Sequence, residues 1–267
     1  MSDRMTLEKL ISGRQKRPLR ISLYGVDGIG KSTWAAAAPA AIFLGAEDGT
    51  ANLDTTRFPQ PESWGDIMDA ITTLFEHEHS FKTLILDSAD WAEILAQRAV
   101  CEESQVNSIE KIDYGKGYVF VADKFKDMLR GFDALYQQRG MNIIVISHAK
   151  ISKFNDPENE PYDRFSIKLN KHIEPLIREW CDMNLFANYD TSVKKVGKGF
   201  NEQTQAVSYG KRLVFSQRRA AFDAKTRYRI PERLPLDWDV FWAAYQDSMK
   251  PPAQDQQPQT DATKQGN

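Results

Sequence analysis

Gly25-Val26-Asp27-Gly28-Ile29-Gly30-Lys31-Ser32-Thr33 fits the pattern G-x-x-x-x-G-K-[ST]. An apolar run, Ile21-Ser22-Leu23-Tyr24, precedes it and reads as a buried strand. Small residues suited to a helix follow over residues 33–38 and stop at Pro39. That strand–loop–helix order is the context in which such a loop holds phosphate. Glycines let the backbone bend so that successive N–H groups point inward at an anion, and the new helix adds its positive end. The nine residues from Gly25 to Thr33 are therefore the expected cradle of a nucleoside triphosphate, with Val26, Asp27, Gly28, Ile29 and Gly30 forming its floor. Lys31 would reach the β- and γ-phosphates, and Ser32 would hold Mg²⁺ by its hydroxyl.

Outward from the loop, Ala41-Ile42-Phe43-Leu44 reads as a second strand, ending at Gly45-Ala46-Glu47-Asp48-Gly49. Trp64, Ile67, Met68, Ile71, Leu74 and Phe75 fall at helical spacing. Thr83-Leu84-Ile85-Leu86 is the next buried strand and ends at Asp87. A long helix is expected over residues 119–139, then a strand, Asn142-Ile143-Ile144-Val145-Ile146, ending at Ser147-His148. The polar, Pro-containing stretch 155–162 reads as a mobile loop. A helix around 171–180, a strand over 183–189, antiparallel strands around 207–215 and a short helix carrying Trp238, Phe241, Trp242 and Tyr245 complete the pattern. Strands alternating with helices imply an α/β fold: a mostly parallel sheet covered on both faces, with a late antiparallel extension. The expected layout is an arm over 1–17, one ATPase domain over 18–248, and a disordered Gln/Pro-rich tail over 249–267.

The 267 residues suffice for one sizeable core. No apolar run is long enough to span a membrane, and the basic N-terminus lacks the apolar stretch of a secretory signal. Cys101 and Cys181 stand far apart, which fits a reducing cytoplasm and argues against a disulfide framework or a structural zinc. Net charge is −2, yet residues 194–233 carry eleven Lys and Arg against Glu202, Asp223 and Glu232. Such asymmetry is either the footprint of a polyanion site or a solvated basic face.

Asp87, at a strand's C-terminal end after a phosphate loop, has the setting of the carboxylate that holds Mg²⁺. Asp90 reads as a helix N-cap. Glu47, ending the strand after the loop helix, is the candidate for orienting an attacking water, with Asp48 as its rival. His148 follows another buried strand; it could sense the γ-phosphate or be a satisfied polar core group. Lys225 and Arg227 are one residue apart on an extended segment and so face one side. They could act as fingers on a γ-phosphate, in cis or from a neighbouring subunit, or form a basic surface strand. His77, His79 and His172 show no metal-site pairing.

These segments occur together with Tyr114-Gly115-Lys116-Gly117-Tyr118 before a long helix, Trp180-Cys181-Asp182 between helix and strand, and a late Ala224-Lys225-Thr226-Arg227. The set resembles the phage-encoded RecA-like P-loop ATPases of the Sak type, which act as single-strand annealing or recombination proteins. The resemblance covers most of residues 20–234. It implies a RecA-like core, ATP with Mg²⁺, single-stranded DNA as partner, and homo-oligomeric rings or filaments with ATP at the subunit interface. It also implies the cytoplasm of a bacterial host cell, and a single-strand-binding or replication protein as a further partner. By it Glu47 is the water-orienting carboxylate, Asp87 the Mg²⁺ acid, and Lys225 and Arg227 fingers across an interface. His148 stands where RecA proteins have a glutamine linking nucleotide state to the DNA loops. Loops around 112–118 and 150–168 would face DNA, the second offering Lys150, Lys153, Phe154, Tyr162, Arg164, Phe165 and Lys168 as cations and stacking rings. The resulting expectation is a DNA-stimulated ATPase that promotes annealing or homologous recombination. An ATP-switched adaptor such as a helicase loader, and a small-molecule or nucleotide kinase, are the alternatives.

Overall fold

The computed structural model describes residues 6–13, 15–45, 49, 52–196 and 203–250. Short-range alternation explains why its strands are central. In β1 (Arg20–Gly25), Ile21 and Leu23 face one layer and Tyr24 the other. The same holds in β2 (Ala41–Gly45) for Phe43 against Ile42 and Leu44, and in β4 (Thr83–Asp87) for Ile85 against Leu84 and Leu86. Strands apolar on both faces must be covered on both. One face receives α1 (Lys31–Ala36) and α6 (Trp238–Met249), where Trp34 meets Trp238 and Phe241 at 4.8 and 5.1 Å between ring centroids. The other receives α2 (Trp64–Glu76), α3 (Ala89–Glu103), α4 (Lys116–Gln138) and α5 (Glu174–Trp180). Ser63 and Asp66 close a capping box that fixes where α2 begins.

With β3 (Thr56–Arg57), β5 (Asn142–Phe154), β7 (Met183–Val196), β8 (Gln203–Phe215) and β10 (Arg233–Pro235), the sheet order is β10-β8-β7-β1-β5-β4-β2-β3. The pairings β7-β1, β1-β5, β5-β4, β4-β2 and β2-β3 are parallel; β8 pairs antiparallel with β7 and with β10. This is the α/β architecture expected, with its antiparallel extension. Because β5 lies between β1 and β4, the ends of these three strands share one edge, with Gly25 level with His148 and Asp87 level with Ile146.

Three local expectations are corrected. The loop helix begins at Lys31, since Gly30 already supplies the left-handed turn that opens it. Residues 150–168 are not a loop: β5 continues beyond the parallel sheet to Phe154 and pairs antiparallel with β6 (Tyr162–Ile167), from Ala149↔Ile167 to Phe154↔Tyr162. Only the connection between those strands is irregular. β7 also runs past residue 189, because β8 pairs with it beyond the edge of the parallel sheet. The expected tail from Pro251 lies outside the described residues.

Candidate nucleotide-binding site

The loop between β1 and α1 opens into a cleft of about 350 Å³ lined by Gly28, Gly30, Lys31, Ser32, Thr33, Gly49, Asn52, Leu53, Asp87 and His148. Two glycines are sterically fixed. A Cβ on Gly25 would lie 2.2 Å from the carbonyl oxygen of Ala187 on β7. Gly30 has φ +104°, and a Cβ there would also lie 3.0 Å from Nη1 of Arg212. The spacing that the sequence shows is thus demanded by the backbone.

Lys31 is buried, and its Nζ donates to the carbonyls of Gly25 and Val26 at 3.2 and 3.1 Å. Its ammonium therefore lies inside the loop it would serve. The Ser32 hydroxyl donates to Asp87 Oδ2 at 2.5 Å. Asp87 is 1% exposed, and its Oδ1 has no hydrogen-bond partner. Burial pushes the Asp87 carboxyl up, against the opposing pull of the Ser32 hydrogen bond and the Lys31 charge. A buried carboxylate with an open oxygen beside a serine hydroxyl is a hard-oxygen donor pair fit for Mg²⁺.

His148 is held from the side opposite the loop. Asp90 Oδ1 accepts from the His148 backbone N–H at 3.0 Å, and Asp90 Oδ2 lies 2.8 Å from Nδ1. Nε2 then faces Asp27 of the loop, 3.8 Å away. Asp90 is accordingly not the N-cap expected: Ser88 occupies that position without a side-chain cap bond, and Asp90 sits inside α3. Burial favours its neutral form, but the hydrogen bonds from His148 outweigh this and hold its carboxyl below the usual range. The pairing spans 58 residues, and no local pattern announces it. Asn52 and Leu53 were likewise missed, since nothing in their types signals a ligand.

Glu47, with its rival Asp48, lies outside the described residues. Lys225 and Arg227 are placed at the other edge of the sheet. Strand β9 (Lys225–Thr226) pairs with Asn184 and Met183 at the start of β7. Lys225 Nζ donates to the Glu179 carbonyl at 3.4 Å, and Arg227 Nη1 lies 3.0 Å from Asp182 Oδ1. Lys225 and Arg227 are level with Asn184 and Asp182, whereas Gly25 is level with Ala187. About 10 and 16 Å of strand respectively separate them from the loop, and both side chains are engaged away from it.

The proposed DNA residues divide. Phe165 is not available for stacking on a base: its ring packs on Phe186 at 5.2 Å, and its N–H donates to Ala221. Arg164 is largely enclosed, 4.1 Å from the Phe154 ring centroid and 3.9 Å from Asp223. Lys150, Lys153 and Lys168 stay exposed; Lys150 also donates to the Leu169 carbonyl, and Lys168 lies 3.9 Å from Asp90. Tyr114, in the other segment, is 94% exposed.

Compared with known families, the chain matches the model of an AAA domain over residues 17–228. No curated protein matches it. Among solved structures it is similar to one titled "Crystal structure of the RadB recombinase", at 14% identity and a TM-score of 0.41, covering 81% of this chain and 89% of that one.

Proposed function

The chain belongs to the AAA domain family, and on that premise we propose that it is a RecA-like ATPase. In this reading it binds ATP with Mg²⁺ at residues 25–33, hydrolyses it, and binds single-stranded DNA in strand annealing or homologous recombination, as Sak-type proteins do. The observation that carries the nucleotide reading is the Ser32–Asp87 pair with its open Asp87 Oδ1, buried at the mouth of a glycine-fixed phosphate loop. The DNA reading rests on the exposed lysines of the β5–β6 hairpin, which begins where the nucleotide cleft ends.

On binding, the loop N–H groups and Lys31 take the phosphates, with Lys31 exchanging two carbonyl partners for phosphate oxygens. Ser32 and Asp87 would hold Mg²⁺, which supplies neutralising charge to the β- and γ-phosphates. His148, oriented by Asp90, presents Nε2 to the same space and connects it to the hairpin through its own strand. Glu47 is assigned to positioning the attacking water. A finger role for Lys225 or Arg227 calls for a neighbouring subunit, which ties turnover to assembly.

The test is the ATPase rate with and without single-stranded DNA, beside sizing in a non-hydrolysable nucleotide. Stimulation with assembly supports the reading. ATP turnover indifferent to DNA, or phosphate transfer to a metabolite, overturns it. Hydrolysis that survives in Glu47→Gln removes that residue from its role.

A further inference from the structure

The basic segment 194–233 brings a cation to the phosphate loop that the reading above does not use. Arg212 lies on β8 opposite Tyr189, beyond Val214, which pairs with Ala187 at the level of Gly25. Its backbone is pinned on both sides: β7 pairs with it on one, and on the other its carbonyl accepts from the Leu236 N–H at 2.9 Å. Its side chain is exposed and forms no hydrogen bond or ion pair among the described residues. The guanidinium nonetheless rests against the loop, with Nη1 3.0 Å from where a Gly30 Cβ would stand and Leu236 Cδ2 4.0 Å from that point.

We propose that Arg212 is a nucleotide-binding residue, supplied by the same chain, whose guanidinium donates to the phosphates held by the loop. The inference rests on the nucleotide reading. A phosphate oxygen accepting from the loop N–H groups sits about 2.9 Å from those nitrogens. A guanidinium already against Gly30 reaches it by a side-chain rotation, with no movement of β8. Planar, permanently charged and able to donate two parallel bonds, Arg suits phosphate better than the point charge of Lys31 alone. The glycine itself is required by its positive φ, because a Cβ there would ask only a few tenths of an ångström of the guanidinium. The contact would also link the β7–β8 hairpin to the occupancy of the cleft.

The experiment is calorimetric titration of ATP and ADP, with Mg²⁺, into the full chain and into Arg212→Ala, Arg212→Gln and Arg212→Lys. Melting of each nucleotide-free protein is recorded in parallel. Ala and Gln should each weaken ATP about tenfold or more, Lys should recover part of the loss, and the melting temperatures should agree. Arg212→Gln removes the charge together with the guanidinium atoms that reach Gly30, and Arg212→Lys restores charge and length without the planar fork. Wild-type affinity in Arg212→Gln, or losses that follow a fall in melting temperature, would assign Arg212 to loop packing and overturn the proposal. A wild-type chain that binds neither nucleotide overturns the nucleotide reading itself.

Discussion

The two edges of the central sheet treat buried charge in opposite ways. At the edge where β1, β5 and β4 end, polar atoms are buried without partners: Asp87 Oδ1, Ser88 Oγ and Ser147 Oγ. At the edge where β1 and β7 begin, Asp182 accepts from the Arg20 backbone N–H, pairs with the Arg20 side chain at 3.2 Å, and pairs with Arg227 at 3.0 Å. Asp133 completes that group by accepting from Arg20 and from Trp180 Nε1, and Arg20 lies over the rings of Tyr136 and Trp180. Unsatisfied buried atoms cost folding free energy and persist where a ligand would satisfy them. The Asp182 network engages both of its carboxylate oxygens, although Ser22 Oγ and Asn184 Oδ1 beside it on β1 and β7 are also buried without partners. The contrast is one of charge: Asp87 keeps an unpartnered oxygen at one edge, and Asp182 is paired through both oxygens at the other.

Lys31→Ala should break the comparison most severely at the first edge, lowering ATP affinity by about 100-fold or more in a filter-binding or calorimetric assay. The same variant should keep a wild-type melting curve. At the second edge, Asp182→Ala leaves Arg20 beneath two rings without its main partner, and should cost about 3 kcal/mol of stability, or roughly 6–12 °C in melting temperature. Nucleotide affinity in that variant should stay within twofold; a parallel loss of binding would show the edges to be coupled.

Asp87→Asn sharpens the contrast, because it should weaken Mg²⁺-dependent nucleotide binding while stabilising the empty protein by about 1 kcal/mol at neutral pH. The sign follows from burial. The folded protein holds the Asp87 proton more tightly than the unfolded chain does. Its contribution to stability is therefore fully present in acid and is lost as pH rises through the raised folded value. The advantage of Asp87→Asn should accordingly shrink on acidification, which denaturant titrations at several pH values would measure. Asp90 runs the other way: its lowered carboxyl contributes stability above the ordinary Asp range and loses it as pH falls through the depressed value. Smallest of all, Arg227→Ala removes an ion pair whose Arg side chain is 55% exposed and should cost less than about 1 kcal/mol. If turnover by the assembled protein is unchanged as well, Arg227 has no part in a neighbour's site.

What was legible in sequence is what a single segment's backbone enforces. The place of the glycine-rich loop could be read because φ at Gly30 and the clearance at Gly25 admit only glycine, and the position of Asp87 beside it because it ends an apolar strand. Partnerships across the chain could not. Asp90 looks like a cap from its neighbours, yet its carboxylate belongs to a histidine 58 residues later. Lys225 and Arg227 were recognisable as a cation pair, but only strand pairing reveals which edge carries them. The polar, Pro-containing stretch 155–162 was legible as a connection, but the wider loop over 150–168 that the resemblance implied is a hairpin, because ladder hydrogen bonds join β5 to β6. Arg212 stood out only as one of eleven cations in 194–233, since its neighbour Gly30 lies on the far side of the domain in sequence.

Strand β5 crosses from the parallel sheet into that hairpin without a break. From His148 to Phe154 it spans about 20 Å of continuously paired backbone. A flexible joint would absorb a tilt imposed at the cleft, whereas a laddered strand carries it to its tip as a beam does. Such a tilt would carry the tip through an arc larger than the displacement at the root, with the lysines along it moving as one body. Any rotation of β5 at the sheet edge would thus be magnified at the hairpin tip.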